Sequence, residues 1–96
     1  MKNIIIYFFS GTGNAKRIAL WMCEIARERN IKCYLNNIAS YSRSELDNLD
    51  HDALIVLISP VHGFNYPKIT LDFIRNFPKG KNSVLLLNTR AGMKIG

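Results

Sequence analysis

A chain of 96 residues makes one domain at most, spanning 1–96, with a modest core and little surplus stability. Its 48% hydrophobic content and near-zero mean hydropathy describe a soluble globular protein, and no stretch approaches the roughly 18 unbroken apolar residues of a membrane helix. The formal net charge of +6 is uneven, because residues 53–96 carry Lys68, Arg75, Lys79, Lys81, Arg90 and Lys94 against Asp72 alone.

Ile4-Ile5-Ile6-Tyr7-Phe8-Phe9 is a short apolar run of β-branched and aromatic residues. Such a run suits a strand buried on both faces, as in a parallel sheet. A turn of small polar residues and glycines follows at 10–15. Then Ala15, Ile18, Ala19, Met22, Ile25 and Ala26 recur at helical spacing and form one apolar stripe. Trp21 falls at the edge of that stripe as a packing residue. Residues 31–36 read as a second, shorter strand. Ser42-Arg43-Ser44-Glu45 resembles a capping box ahead of a brief helix carrying Leu46 and Leu49.

Residues 53–59 are the strongest strand, aliphatic and uninterrupted, which places it centrally in a covered sheet. A loop from Pro60 to Tyr66 comes next. Pro67 suits the first turn of a helix, and Thr70, Phe73, Ile74 and Phe77 recur at helical spacing. Residues 78–81 form a turn, 84–87 a fourth strand, and 88–96 a polar, glycine-bearing tail. Cys23 and Cys33 lack metal-ligand or redox-motif spacing and are expected as buried, reduced thiols on a helix and a strand.

Strands alternating with helices predict an α/β, doubly wound parallel sheet with right-handed connections, in the order 2-1-3-4. In such sheets a ligand lies beyond the carboxyl ends of the strands, where the winding reverses. The loops after the first and third strands should therefore be neighbours in space.

The first of these loops has the chemistry of a phosphate cradle. Gly11 and Gly13 permit positive φ and close backbone approach, Ser10 and Thr12 offer hydroxyls, and N–H groups face outward where a helix begins. It is not a P-loop, because no Gly-Lys-Ser/Thr closes it. It is not the dinucleotide fingerprint either, since Lys16 stands where a third glycine is needed. A tight turn without a ligand is the plain alternative.

Ser10-Gly11-Thr12-Gly13-Asn14-Ala15 resembles the FMN-phosphate loop of the flavodoxin family, Ser/Thr-x-Thr-Gly-Asn-Thr, at five of six positions. Ala15 departs from it, which removes one hydroxyl but keeps the backbone N–H. Ser59-Pro60-Val61-His62-Gly63-Phe64-Asn65-Tyr66-Pro67 is similar to the family's second loop, beside the flavin ring, of a type seen in ferredoxin-fused members. The resemblance assigns Pro60, Val61, His62, Gly63, Phe64 and Tyr66 to that side, with Gly63 as the peptide that rotates. Thr89, Arg90, Ala91 and Gly92 match the third loop, over the other face of the ring. Phe64 and Tyr66 also suit simple packing. His62 has no partner at acid–base spacing, and His51, beside Asp50 and Asp52, suits a solvated surface.

What the resemblance implies is FMN as cofactor and electron transfer through semiquinone and hydroquinone states, without catalytic side chains or a metal. The family completes its fold with a further helix, a fifth strand and a last helix. None of these follows residue 96, so the chain is expected to be a fragment of about two-thirds of that fold. The fourth strand is then an apolar edge open to pairing, self-association included.

The resemblance implies a redox partner protein, ferredoxin-like or a reductase, and the basic half suits an acidic partner or an anionic cofactor over an otherwise solvated surface. It does not fit nucleic acid, for the basic residues form no cluster with aromatics. No secretory leader pattern opens the chain, so a cytoplasmic location without a membrane partner is expected. Two other functions share the fold. One is an FMN-dependent oxidoreductase acting on NAD(P)H, quinones or porphyrinogens; the other is a flavin-free α/β module for protein association.

Overall fold

The runs of branched and aromatic residues form strands, and the periodic stripes form helices. The structure, a computed structural model, describes residues 3–9, 13–40, 52–60, 66–77 and 82–89. In chain order these give β1 (Asn3–Phe8), α1 (Asn14–Glu28), β2 (Lys32–Asn37), β3 (Leu54–Pro60), α2 (Lys68–Asn76) and β4 (Val84–Thr89). The strands form one parallel sheet in the order β2-β1-β3-β4. Ile6 of β1 lies opposite Leu35 of β2 on one side and Val56 of β3 on the other. The helix expected from Ser42 onward lies outside the described residues.

Because side chains alternate along a strand, β1 and β3 supply two cores. On one face Ile6, Phe8, Val56 and Ile58 meet Ala15, Ala19, Cys23 and Ala26 of α1. Small residues on the helix let it settle close to the large side chains of the sheet. On the other face Tyr7, Ile55 and Leu57 cluster with Ile38, Ala53 and Phe73 of α2. Here the packing is aromatic: the Phe73 ring lies 4.9 Å from that of Tyr7, and Phe77 meets Tyr7 edge-on at 6.2 Å.

The buried stripe of α1 is rotated from the expected one. Ala15, Ala19, Cys23 and Ala26 are its centre, while Ile25 is exposed and Trp21 is 61% exposed. At about 100° per residue, Ile25 cannot share the inward direction of Ala26. Pro67 is likewise displaced: it stands just before α2 with ψ 151, so the helix starts at Lys68. β4 continues through Asn88 and Thr89, where a tail was expected. Pairing of those residues with Ser59 and Pro60 of β3 outweighs their polar character. Val84 (58%), Leu85 and Leu86 stay exposed on the two faces of this edge strand.

The cysteines are the main correction, for Cys23 and Cys33 are joined as a disulfide, with Cα atoms 5.3 Å apart. Local geometry brings them together. The Ile31 N–H donates to the Ala26 carbonyl (2.9 Å), the Asn30 N–H donates to that of Arg27 (3.0 Å), and Asn30 takes φ 60. These bonds make a left-handed helix cap that returns the chain at once into β2. Cys33, paired with Ile4, then enters the same layer as Cys23. A separation of 10 residues matches no redox motif, so the pairing is a product of the αβ turn.

Closing a loop of this length stabilises a domain by ~3 kcal/mol in the chain-entropy model. Reduction should therefore lower the urea midpoint clearly, as followed by far-UV circular dichroism; an unchanged midpoint refutes the cross-link. A second expectation concerns the Ser59 and Thr70 hydroxyls, which are fully buried and 2.7 Å apart. Ser59 Oγ also reaches the Pro60 carbonyl at 3.2 Å. Thr70→Val leaves Ser59 poorly satisfied, at a cost of about 1–2 kcal/mol. Adding Ser59→Ala should restore part of that loss, and strict additivity of the two changes contradicts the pairing.

Candidate functional site

The winding of the sheet reverses between β1 and β3, so a crevice opens at their carboxyl ends. The Phe9 N–H donates to the Ile58 carbonyl at 3.0 Å. The ends of β1 and β3 therefore lie side by side.

α1 starts at this point, directly after Gly13. Gly13 holds φ 89 and ψ −10, in the left-handed region, and its carbonyl accepts the Arg17 N–H at 3.1 Å. A Cβ there would meet nothing within 4 Å, so the glycine is required by conformation and not by space. Among the described residues no side chain caps the helix, and its first turn holds no acidic residue. Among the described residues, then, no local side chain compensates the positive end of the helix dipole and its leading N–H groups. Asn14 is exposed, whereas the Ala15 methyl is buried against the sheet. Ala15 offers an anion only its backbone N–H.

The other walls come from β3, β4 and the approach to α2. Pro60 ends β3 opposite Thr89 of β4. Behind them the Ser59–Thr70 hydroxyl pair fixes α2 to the last residues of β3. The Tyr66 hydroxyl donates to Asn88 Oδ1, which ties the segment before α2 to the end of β4. The topology therefore brings Gly13, Asn14, Ala15, Pro60, Tyr66 and Thr89 to one end of the sheet. Ser10, Gly11, Thr12, Val61, His62, Gly63, Phe64, Arg90, Ala91 and Gly92 lie outside the described residues, as does His51. Ser59, Thr70 and Asn88 were missed as supports. Their signal was a polar residue closing an apolar strand, as at Ser59 and Asn88, and a hydroxyl on a buried helix face, as at Thr70.

Among the described residues no three His, Cys, Asp or Glu side chains gather as a metal site. No described helix is long and apolar enough to cross a membrane.

No family model and no curated protein matches the sequence. Solved structures do match the fold. Flavodoxin 1 from Bacillus cereus superposes with a TM-score of 0.69 at 21% identity, over 90% of this chain and 60% of that one. A Fusobacterium nucleatum flavodoxin variant bound to flavin mononucleotide gives 0.71 at 16% identity, over 94% of this chain and 52% of that one. The flavodiiron protein of Giardia intestinalis gives 0.77 at 15% identity, over 98% of this chain and 24% of that one. The chain thus spans about half to three-fifths of the length of these two flavodoxins. A parallel sheet in the order 2-1-3-4, wound by helices on both faces, gives this chain the flavodoxin-like fold.

Proposed function

We propose that this chain is an FMN-binding electron-transfer domain of the flavodoxin type. One observation carries the reading above all: a helix N-terminus that no described side chain caps, introduced by a left-handed glycine, stands at the switch point of a flavodoxin-like sheet. A dianionic phosphate is the ligand chemistry such a terminus favours.

In this reading the backbone from Ser10 through Gly13 to Ala15 binds the phosphate, aided by the Ser10 and Thr12 hydroxyls. Lys16 and Arg17, exposed in the first turn, add positive field without being required as ligands. Pro60, Val61, His62, Gly63, Phe64 and Tyr66 flank one side of the ring and exclude water from it. Thr89, Arg90, Ala91 and Gly92 close the other side, and the Tyr66–Asn88 bond holds those two walls together. Bound FMN supplies the redox chemistry, which is its own. The chain binds, orients and shields it. The basic residues of the second half suit an acidic redox partner docking by charge complementarity.

Titrating FMN with the 96-residue chain should quench flavin fluorescence to a one-to-one end point. The affinity should fall as salt rises, because phosphate binding is screened. An unquenched, unshifted flavin spectrum at high protein concentration sinks the reading. Gly13→Ala should weaken binding about tenfold, since a residue with a Cβ resists the left-handed conformation by roughly 1–2 kcal/mol. Unchanged affinity in a folded Gly13→Ala variant removes the phosphate assignment of this turn.

A further inference from the structure

The opposite end of the sheet holds a feature that flavin binding leaves unused. Where α1 turns into β2, an open cleft of about 380 Å³ is lined by Arg27, Asn30, Ile31, Lys32, Cys33 and Tyr34. Its size is that of a small-molecule site. The two charged residues of its lining are both cations, Arg27 and Lys32, and no carboxylate is among the residues that line it. One half of the Cys23–Cys33 disulfide therefore borders the cleft while the other half does not. Cys33 is 6% exposed, and Cys23, on the inner face of α1, is 2% exposed.

Thiol–disulfide exchange depends on which sulfur a thiolate reaches and on the charges around it. Both cysteines are buried, but only Cys33 is among the residues that line the cleft, and the charged residues beside it there are cations. We propose that Cys23–Cys33 is a reversible thiol–disulfide site, opened at Cys33 by a small anionic thiol bearing carboxylates that enters this cleft. The carboxylates meet Arg27 and Lys32, and the thiolate attacks Cys33 Sγ. A mixed disulfide forms on Cys33, the Cys23–Cys33 bond breaks, and Cys23 leaves as thiolate. A second thiol then attacks the small-molecule sulfur of the mixed disulfide. Cys33 is released as thiolate, and the two small thiols become one disulfide. The two electrons pass from the small thiols to the protein pair, and the protons the thiols lose are taken up by Cys23 and Cys33. The oxidised small disulfide drives the same steps backward.

The site does not rest on the flavin reading. β2 runs from Lys32 to Asn37, so the length of a strand, roughly 20 Å, separates the cleft from the carboxyl ends of the sheet.

The test is the rate of disulfide opening in the folded 96-residue chain, read by intact mass after alkylation. Glutathione is the anionic probe and cysteamine the cationic one, compared at equal thiolate concentration. Glutathione should react about tenfold faster, as expected for steering by two charges. That advantage should shrink towards parity in Arg27→Gln/Lys32→Gln and at high salt. These substitutions are on the exposed surface, so folding is not the issue. Peptide mapping should place the glutathionyl group on Cys33, and Cys23→Ser should leave a Cys33 that oxidised glutathione modifies. Equal rates for the two thiols, an adduct on Cys23, or opening only under conditions that unfold the chain each overturns the proposal. So does an air-equilibrated protein with two free thiols that oxidised glutathione fails to join.

Discussion

β3 buries both of its faces, and the remaining elements are placed by that demand. Residues Ile55 to Ser59 are all withdrawn from water. An aliphatic strand with no solvent side needs a helix layer above and below and a partner along each edge. α1 meets one requirement with small side chains, and α2 meets the other with Phe73 against Tyr7. β1 and β4 occupy the two edges. Right-handed connections that serve both faces must wind in opposite senses from the centre. The crevice at the carboxyl ends is the geometric remainder of that arrangement, and the Gly13 turn stands beside it.

Much of this was legible in the residues. The alternation of strand-like and helical patterns fixed the class, and the unbroken run at 53–59 identified the central strand. The Gly13 turn was legible because its glycine spacing answers a local need, a left-handed residue at a helix start. What escaped were outcomes decided by distant partners. Asn88 and Thr89 look like tail residues until β3 offers them a ladder. Ile25 is a better apolar residue than Cys23, yet rotation about the helix axis turns Cys23 inward. The Ser59–Thr70 bond joins two elements whose alignment no local pattern specifies.

The two edges of the sheet differ in kind. β2 carries Lys32 at its start and Asn36 and Asn37 at its end, polar groups that discourage another strand from adding. β4 has no charge between Val84 and Thr89 and exposes apolar side chains on both faces. The protected edge is also the cross-linked one, since Cys33 of β2 is bonded to α1. The covalent device thus sits at one border, while the other is held by strand pairing with β3 and by the Tyr66–Asn88 bond.

Trp21 is the sole tryptophan of the chain, and most of its indole already faces water in the native state. Its emission will be solvent-relaxed before any denaturant is added, so the intrinsic fluorescence of this protein is a poor optical gauge of whether it is folded. Tyr7, sealed within the aromatic cluster under α2, is the chromophore whose near-ultraviolet dichroism registers the intact interior.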